Sequence, residues 1–457
     1  MSTPSPDPTL SAEVAAQHAQ IGNVRKEADA AFAVNGHPDA AWFGPGGLGL
    51  FLHWGISAVE GEGDLSWPMM AREPGAAATS LARYGFASVQ KGYTPARYWE
   101  QAARFTAENY DPGKWLAAAK AAGARYAVLT TRHHDGYALW PSAHGELGTA
   151  THLGGRDLVA PFVAACREHG LKVGLYYSPP DWHWNRHHMS FRYGGAKPDL
   201  GLHHEAVELP VLAPAEAAER LAAFRRHLKG QVEELLTRYG KIDLIWFDGA
   251  GQDAFTLDWL RELQPGIVVN ERAHGYGDFS THECRFPAQR PGGWWEYCHV
   301  WADGGWAYLN HETYKPMGWF LGELARARSW GGNFLPSAGP DAKGELPQVY
   351  YDRMRQLAAW MEHSGVSLGD VEPGPWPERS NVPITRKGSV WYAHFDWVHD
   401  QPALIEGVRR PAFATLLRDG KAVPFEWREN RLTVTIPPDR RTTLLDVVEI
   451  RWDTFQE

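Results

Sequence analysis

Five short apolar runs in this chain end on polar or charged side chains, with helical patterns between them. The clearest is Lys241-Ile-Asp-Leu-Ile-Trp-Phe-Asp248-Gly249, a run of buried-strand length that closes on a carboxylate. Residues 48–54 close on His53 and Trp54, 125–131 run into Arg132-His133-His134-Asp135-Gly136, 171–177 close on two tyrosines, and 266–270 lead into Glu271 and Arg272. Uninterrupted apolar runs of this kind are what strands buried on both faces look like. Between them, segments such as 112–122 and 158–168 follow a helical pattern, and strand–helix alternation implies a parallel sheet. A series of such units over about 330 residues closes as a (β/α)8-like, TIM-type barrel, with an open doubly wound sheet as the alternative. In a barrel the C-terminal strand ends point into the active-site mouth, so acids and histidines there are placed for chemistry rather than packing.

Past the helical pattern at 349–362 the texture changes. A Pro/Gly-rich stretch at 369–377 precedes short strand patterns at 388–395, 403–405, 414–417, 431–436 and 447–452, the signature of an antiparallel β-sandwich. The expected organisation is a polar N-terminal tail or helix (1–30), a catalytic barrel (31–366) and a C-terminal β-sandwich (367–457). The poorly periodic insert at 185–216 reads as a surface or lid-like excursion.

With 457 residues, 44% of them hydrophobic, the chain is long enough for a large core and a smaller second domain. A net charge of −9 argues against a nucleic-acid groove. Cys166, Cys284 and Cys298 are too few and too far apart for a disulfide framework. Residues 1–27 lack a continuous apolar core, so neither export nor a membrane span is expected and the cytoplasm is the predicted location. Oligomeric state has no sequence signal. Tryptophan is in excess at 22 residues, and nine of them, from Trp54 to Trp306, lie in loop-like or strand-end segments. Some of these should line a pocket, since flat apolar faces suit sugar rings.

Two chemistries compete for the strand-end residues. His53, His133, His134, Asp135 and Asp248 hold enough nitrogen and oxygen for a metal centre. Against it, adjacent histidines on an extended segment point to opposite sides, so His133 and His134 share one ion only if the chain turns there. The expectation is no metal and no cofactor. Glycoside hydrolysis needs two carboxyl groups flanking one bond. Asp248 is one; Glu283 lies 35 residues on, about one βα unit away, in the segment 278–283 that follows the fifth apolar run.

The motifs His53-Trp54-Gly55, His133-His134-Asp135-Gly136-Tyr137, Gly174-Leu-Tyr-Tyr-Ser178, Trp246-Phe-Asp-Gly249 and Gly331-Gly-Asn-Phe-Leu-Pro-Ser-Ala-Gly-Pro340 occur here in order. In this the chain resembles the α-L-fucosidases of glycoside hydrolase family 29, over about residues 40 to 345 and on into a C-terminal β-sandwich. The resemblance implies a retaining exo-glycosidase that removes terminal α-L-fucosyl residues from a fucosylated oligosaccharide or glycoconjugate. It implies Asp248 as nucleophile and Glu283 as general acid/base, with Glu271 and Glu296 as reserves. It further implies His53, Trp67, His133, His134, Tyr176 and Trp246 as sugar-binding residues, and Arg272 as the arginine near the acid/base. Strand alternation lets only one of Tyr176 and Tyr177 face the barrel, and motif spacing favours Tyr176. Ser66 stands where many relatives carry a carboxylate, and Phe334-Leu-Pro-Ser337 replaces an apolar run. These departures keep two alternatives in view: a glycosidase for a related sugar such as α-L-galactose, and a carbohydrate-binding homologue without activity.

Overall fold

The computed structural model describes residues 8–23, 34–71, 93–398 and 400–454. Eight parallel strands form the first sheet: β1 (Gly49–Leu52), β2 (Tyr126–Arg132), β3 (Lys172–Tyr177), β4 (Leu244–Phe247), β5 (Val268–Val269), β6 (Phe279–Glu283), β7 (Trp294–His299) and β8 (Asn333–Ala338). Their order is β5-β4-β3-β2-β1-β8-β7-β6, and a single parallel bridge between Asn270 and Phe279 brings the two edges together into a near-closed barrel. Side chains complete that seam. Asp278 Oδ2 accepts from Val269 N–H at 2.7 Å, and Arg261 Nη2 donates to Asp278 Oδ1 at 2.9 Å.

The five apolar runs of the sequence are β1 to β5. The other three strands escape a search for apolar runs, because β6 (Phe-Ser-Thr-His-Glu) is mostly polar and β8 contains Pro336. Of the two positions open to the second carboxyl, a neighbouring strand end or the loop after one, Glu283 takes the first: it is the last residue of a strand of its own.

Helices cover the outside of the barrel. Those at Pro112–Ala121 and Pro214–Thr237 begin on proline, whose fixed φ suits the first helical position and whose missing N–H has no partner to lose there. The first ends ahead of Gly123, at φ +91°, and buries Trp115, Leu116 and Ala119 against the barrel. An N-terminal helix, α1 (Pro8–Gln20), lies across the barrel mouth instead of its side: Ile21 O accepts from Ala250 N–H, two residues past Asp248, at 3.2 Å. Residues 1–7 and 24–30 of the expected tail lie outside the described residues.

The C-terminal strands form a six-stranded and a three-stranded antiparallel sheet. Alternating burial along Ala403–Glu406 is the period-2 pattern of a strand with one face on a core, and Trp391, Ile405, Leu432 and Ile450 pack in that core. Trp360 Nε1 donates to Leu445 O at 2.7 Å and ties the last barrel helix, Gln348–Ser364, to the sandwich. No helix among the described residues is long and apolar enough to cross a membrane.

Candidate active site

The C-terminal ends of the barrel strands surround one cavity, lined by Asp248, Glu283, His53, Trp67, His133, Tyr176, Trp246 and Arg272. Asp248 follows β4 directly, with its N–H bonded to Tyr177 O at 3.1 Å. The next residue has to be glycine: Gly249 sits at φ +116°, and a Cβ there would collide with the Pro180 ring. The loop therefore turns away at once and leaves the carboxylate at the mouth.

Arg272 organises the acids. Its Nη1 donates to Asp248 Oδ1 and its Nη2 to Glu283 Oε2, each at 2.7 Å, so one guanidinium bridges both carboxylates. Nε donates to Thr281 Oγ1 at 2.9 Å, and the guanidinium carbon lies 4.4 Å from the centre of the Trp246 ring. A planar fork with fixed donors is suited to holding two carboxylates in one geometry. The other oxygen of Asp248, Oδ2, accepts from the Tyr176 hydroxyl at 2.8 Å. Tyr177 points out of the barrel, where its hydroxyl donates to Gln231 Oε1 at 3.0 Å. Burial alone would raise the Glu283 carboxyl, but the Arg272 charge and then His18 hold it well below the usual carboxylate range.

The other two candidate acids are engaged elsewhere. Glu296 accepts from Tyr126 Oη at 2.6 Å and Trp246 Nε1 at 2.9 Å, and burial pushes its carboxyl up to about 7. It supports Trp246 from beneath. Glu271 accepts from the N–H of Thr281 at 2.9 Å and from its hydroxyl at 3.1 Å. Neither lines the cavity.

The two adjacent histidines do not point to opposite sides. Strand β2 ends at Arg132 after an irregularity in its pairing with β3, the chain turns, and the rings of His133 and His134 lie 4.0 Å apart, centre to centre. His134 Nδ1 is 2.6 Å from Ser178 Oγ, and its Nε2 lies 3.7 Å from Asp248 Oδ2 behind the cavity wall. His133 Nδ1 is bonded to Ser66 Oγ, so the serine at the departure from the family pattern holds a site histidine. Burial pushes His53 and His134 down to about 3, and His133 well below its ordinary value. Neutral imidazoles offer one donor and one acceptor each, which matches sugar hydroxyls.

The turn also brings ligand atoms of His133, His134 and Asp248 within 4.8 Å of one another. This set does not fit a divalent cation. Both Asp248 oxygens are already bonded, to Tyr176 and to the Arg272 cation, and a fixed positive charge on the same carboxylate repels a second one.

Four further groups line the cavity, of which only Trp306, as one of nine loop or strand-end tryptophans, carried any signal in the sequence. Trp306 is held by Asp64, whose Oδ1 accepts from Trp306 N–H at 2.8 Å; it belongs to the loop tryptophans, but nothing in the sequence singled it out. Gln17, His18 and Ile21 come from α1 and the residue after it. An isolated histidine in an alanine-rich helix matches no motif. Its role became visible only when the fold placed His18 Nε2 2.8 Å from Glu283 Oε2.

Comparison with known proteins gives one answer throughout. The α-L-fucosidase family model matches residues 14–366. The tissue α-L-fucosidase of Rattus norvegicus is 26% identical over 436 residues, covering 89% of this chain and 87% of the rat protein. Among solved structures, α-L-fucosidase isoenzyme 1 from Paenibacillus thiaminolyticus is 30% identical with a TM-score of 0.71, covering 91% of this chain and 98% of its own. A family 29 α-L-fucosidase from Bacteroides thetaiotaomicron, 22% identical, superposes with a TM-score of 0.73 over 94% of this chain and 97% of its own.

Proposed function

Because this chain belongs to the α-L-fucosidase family, we propose that it hydrolyses terminal α-L-fucosyl residues of fucosylated glycans with retention of configuration. The observation that carries this reading is the pair of carboxylates on one arginine: Asp248 and Glu283 each bond one terminal nitrogen of Arg272. Retaining glycosidases need their two carboxyl groups close, one to attack and one to protonate. In the first half-reaction Asp248 attacks the anomeric carbon, and the leaving oxygen takes a proton from Glu283 as the C–O bond breaks. In the second, ionised Glu283 takes a proton from water, whose oxygen displaces Asp248. The Arg272 charge and His18 favour the ionised form of Glu283, the form this second half requires. His53 and His133, which line the cavity, bind ring hydroxyls as neutral imidazoles, while His134, behind the wall, backs Asp248; Trp246 and Trp67 cover apolar parts of the ring.

Hydrolysis of 4-nitrophenyl α-L-fucoside, beside the β-D-galactoside, α-L-galactoside and α-L-arabinoside, with and without chelator, tests this. Chelator-resistant release from the α-L-fucoside is the expected result. Preference for another glycoside would overturn the sugar assignment, and loss of activity on chelation would overturn the metal-free mechanism. An activated 2-fluoro fucoside should add one fucosyl unit to Asp248; failure to label would point to a binding protein. All three cysteines are free and buried, which supports a reducing compartment, and the cytoplasm is the proposed site of action.

A further inference from the structure

Helix α1 is fastened over the mouth at its C-terminal end, by the Ile21–Ala250 bond and by Gly194 N–H donating to Gln20 Oε1 at 3.1 Å. It delivers His18 to the same oxygen of Glu283 that Arg272 holds: Nε2 of His18 is 2.8 Å and Nη2 of Arg272 2.7 Å from Oε2. No described residue donates to Oε1. A carboxyl whose Oε2 already accepts two hydrogen bonds carries its proton on Oε1, so this pair of donors decides which oxygen faces the departing group.

Gln17 lies one residue away, 4% exposed and lining the cavity, and its Nε2 has no hydrogen-bond partner among the described residues. A buried amide N–H without an acceptor is costly unless a ligand supplies one. Gln17, His18 and Ile21 line the same cavity as Asp248 and Glu283. The leaving group starts at Glu283, and α1 is what flanks Glu283 there.

Resting on the fucosidase reading above, we propose that α1 is the leaving-group wall of this site. Gln17 donates to an oxygen of a hydroxyl-bearing sugar aglycone. His18 is a positioning residue that, together with Arg272, turns Oε1 of Glu283 toward the departing oxygen. The proton then moves from Oε1 to that oxygen, which keeps the electron pair of the breaking bond to the anomeric carbon.

The test compares substrates that share a glycone and differ in how much they need an acid and an aglycone contact: α-L-fucosyl fluoride, 4-nitrophenyl α-L-fucoside and α-L-fucosyl-(1→2)-D-galactose. The full chain is used as wild type, Gln17→Ala, His18→Ala and His18→Gln, and turnover of the fluoride reports that each variant is folded. In Gln17→Ala the ratio of disaccharide to fluoride kcat/KM should fall about tenfold, carried by KM. In His18→Ala the same ratio should fall at least about tenfold, carried by kcat, with the aryl fucoside between the extremes. His18→Gln, whose amide still donates to Oε2, should recover most of that loss. Unchanged ratios, or equal losses on all three substrates, would overturn the proposal and leave α1 a structural cover. A wild type silent on all three substrates would instead remove the fucosidase reading itself.

Discussion

The hydroxyl of Tyr176 donates to Oδ2 of Asp248 at 2.8 Å while Arg272 occupies Oδ1, so each oxygen of the strand-end carboxylate is held by a different group. Tyr176→Phe removes one of these restraints and keeps the ring that stacks beside Trp246. A hydrogen bond to a charged group contributes about 1.5–3 kcal/mol, so kcat/KM on 4-nitrophenyl α-L-fucoside should drop roughly 10- to 100-fold with little change in melting temperature. Wild-type kinetics in this variant would make Tyr176 a core tyrosine only.

Arg272→Lys keeps a positive charge but loses the fork. A single ammonium cannot reach both carboxylates with two separate donors, and breaking a buried charge pair costs about 3–5 kcal/mol. Turnover should fall by at least about 100-fold, and the melting temperature should fall as well. A variant that keeps most of its activity would show that bridging the two acids is not needed.

Asp248→Ala should lose nearly all turnover on every substrate while remaining folded, because no other described carboxylate in the cavity could take its place next to Tyr176. Glu283→Ala should differ. Substrates with poor leaving groups should slow by about 10²- to 10⁴-fold, and aryl fucosides far less. Steady-state rates on the two substrate types, measured side by side, separate a proton donor from a binding residue.

Acid should destabilise the fold at a pH where most carboxylates are still ionised. His53 and His134 are pushed down to about 3 in the folded chain, and His133 is lowered too. Between pH 6.5 and 3 the unfolded chain takes up protons on these rings and the native state does not. Stability present above 6.5 is therefore lost as the pH falls through that window. Urea midpoints measured from pH 7.5 down to 4.5 should decline, and a His53→Asn/His133→Asn double variant should show a shallower slope. Parallel slopes would mean that other groups control acid unfolding.

What the sequence made legible was apolar. Strands β1 to β5 read directly as apolar runs, and the residues at their ends, from His53 to Arg272, meet at one mouth. Strand β6 could not be read in the same way, since four of its five residues, Ser280, Thr281, His282 and Glu283, are polar and only Phe279 is buried. The turn after Arg132 was also out of reach. Alternation on a straight strand separates His133 from His134, and only the break in pairing with β3 puts them side by side. His18 was least accessible of all, because its meaning lies in a contact spanning 265 residues. Asp64, buried beside Ser66, likewise acts at long range: it holds the Trp306 loop from inside the protein.

The barrel's seam has a consequence for how such a site evolves. Between β5 and β6 there is one backbone bridge, and Asp278 supplements it with its N–H, which donates to Val269 O at 2.7 Å, and with its side chain. A join made by side chains tolerates insertions and deletions better than a join made by register, because lengthening the chain there unzips no strand pair. Asp248 and Glu283 stand on opposite sides of that join, each beside or on a strand laddered to its other neighbour. A change of chain length at the join is therefore felt in the spacing of the two acids, which Arg272 bridges.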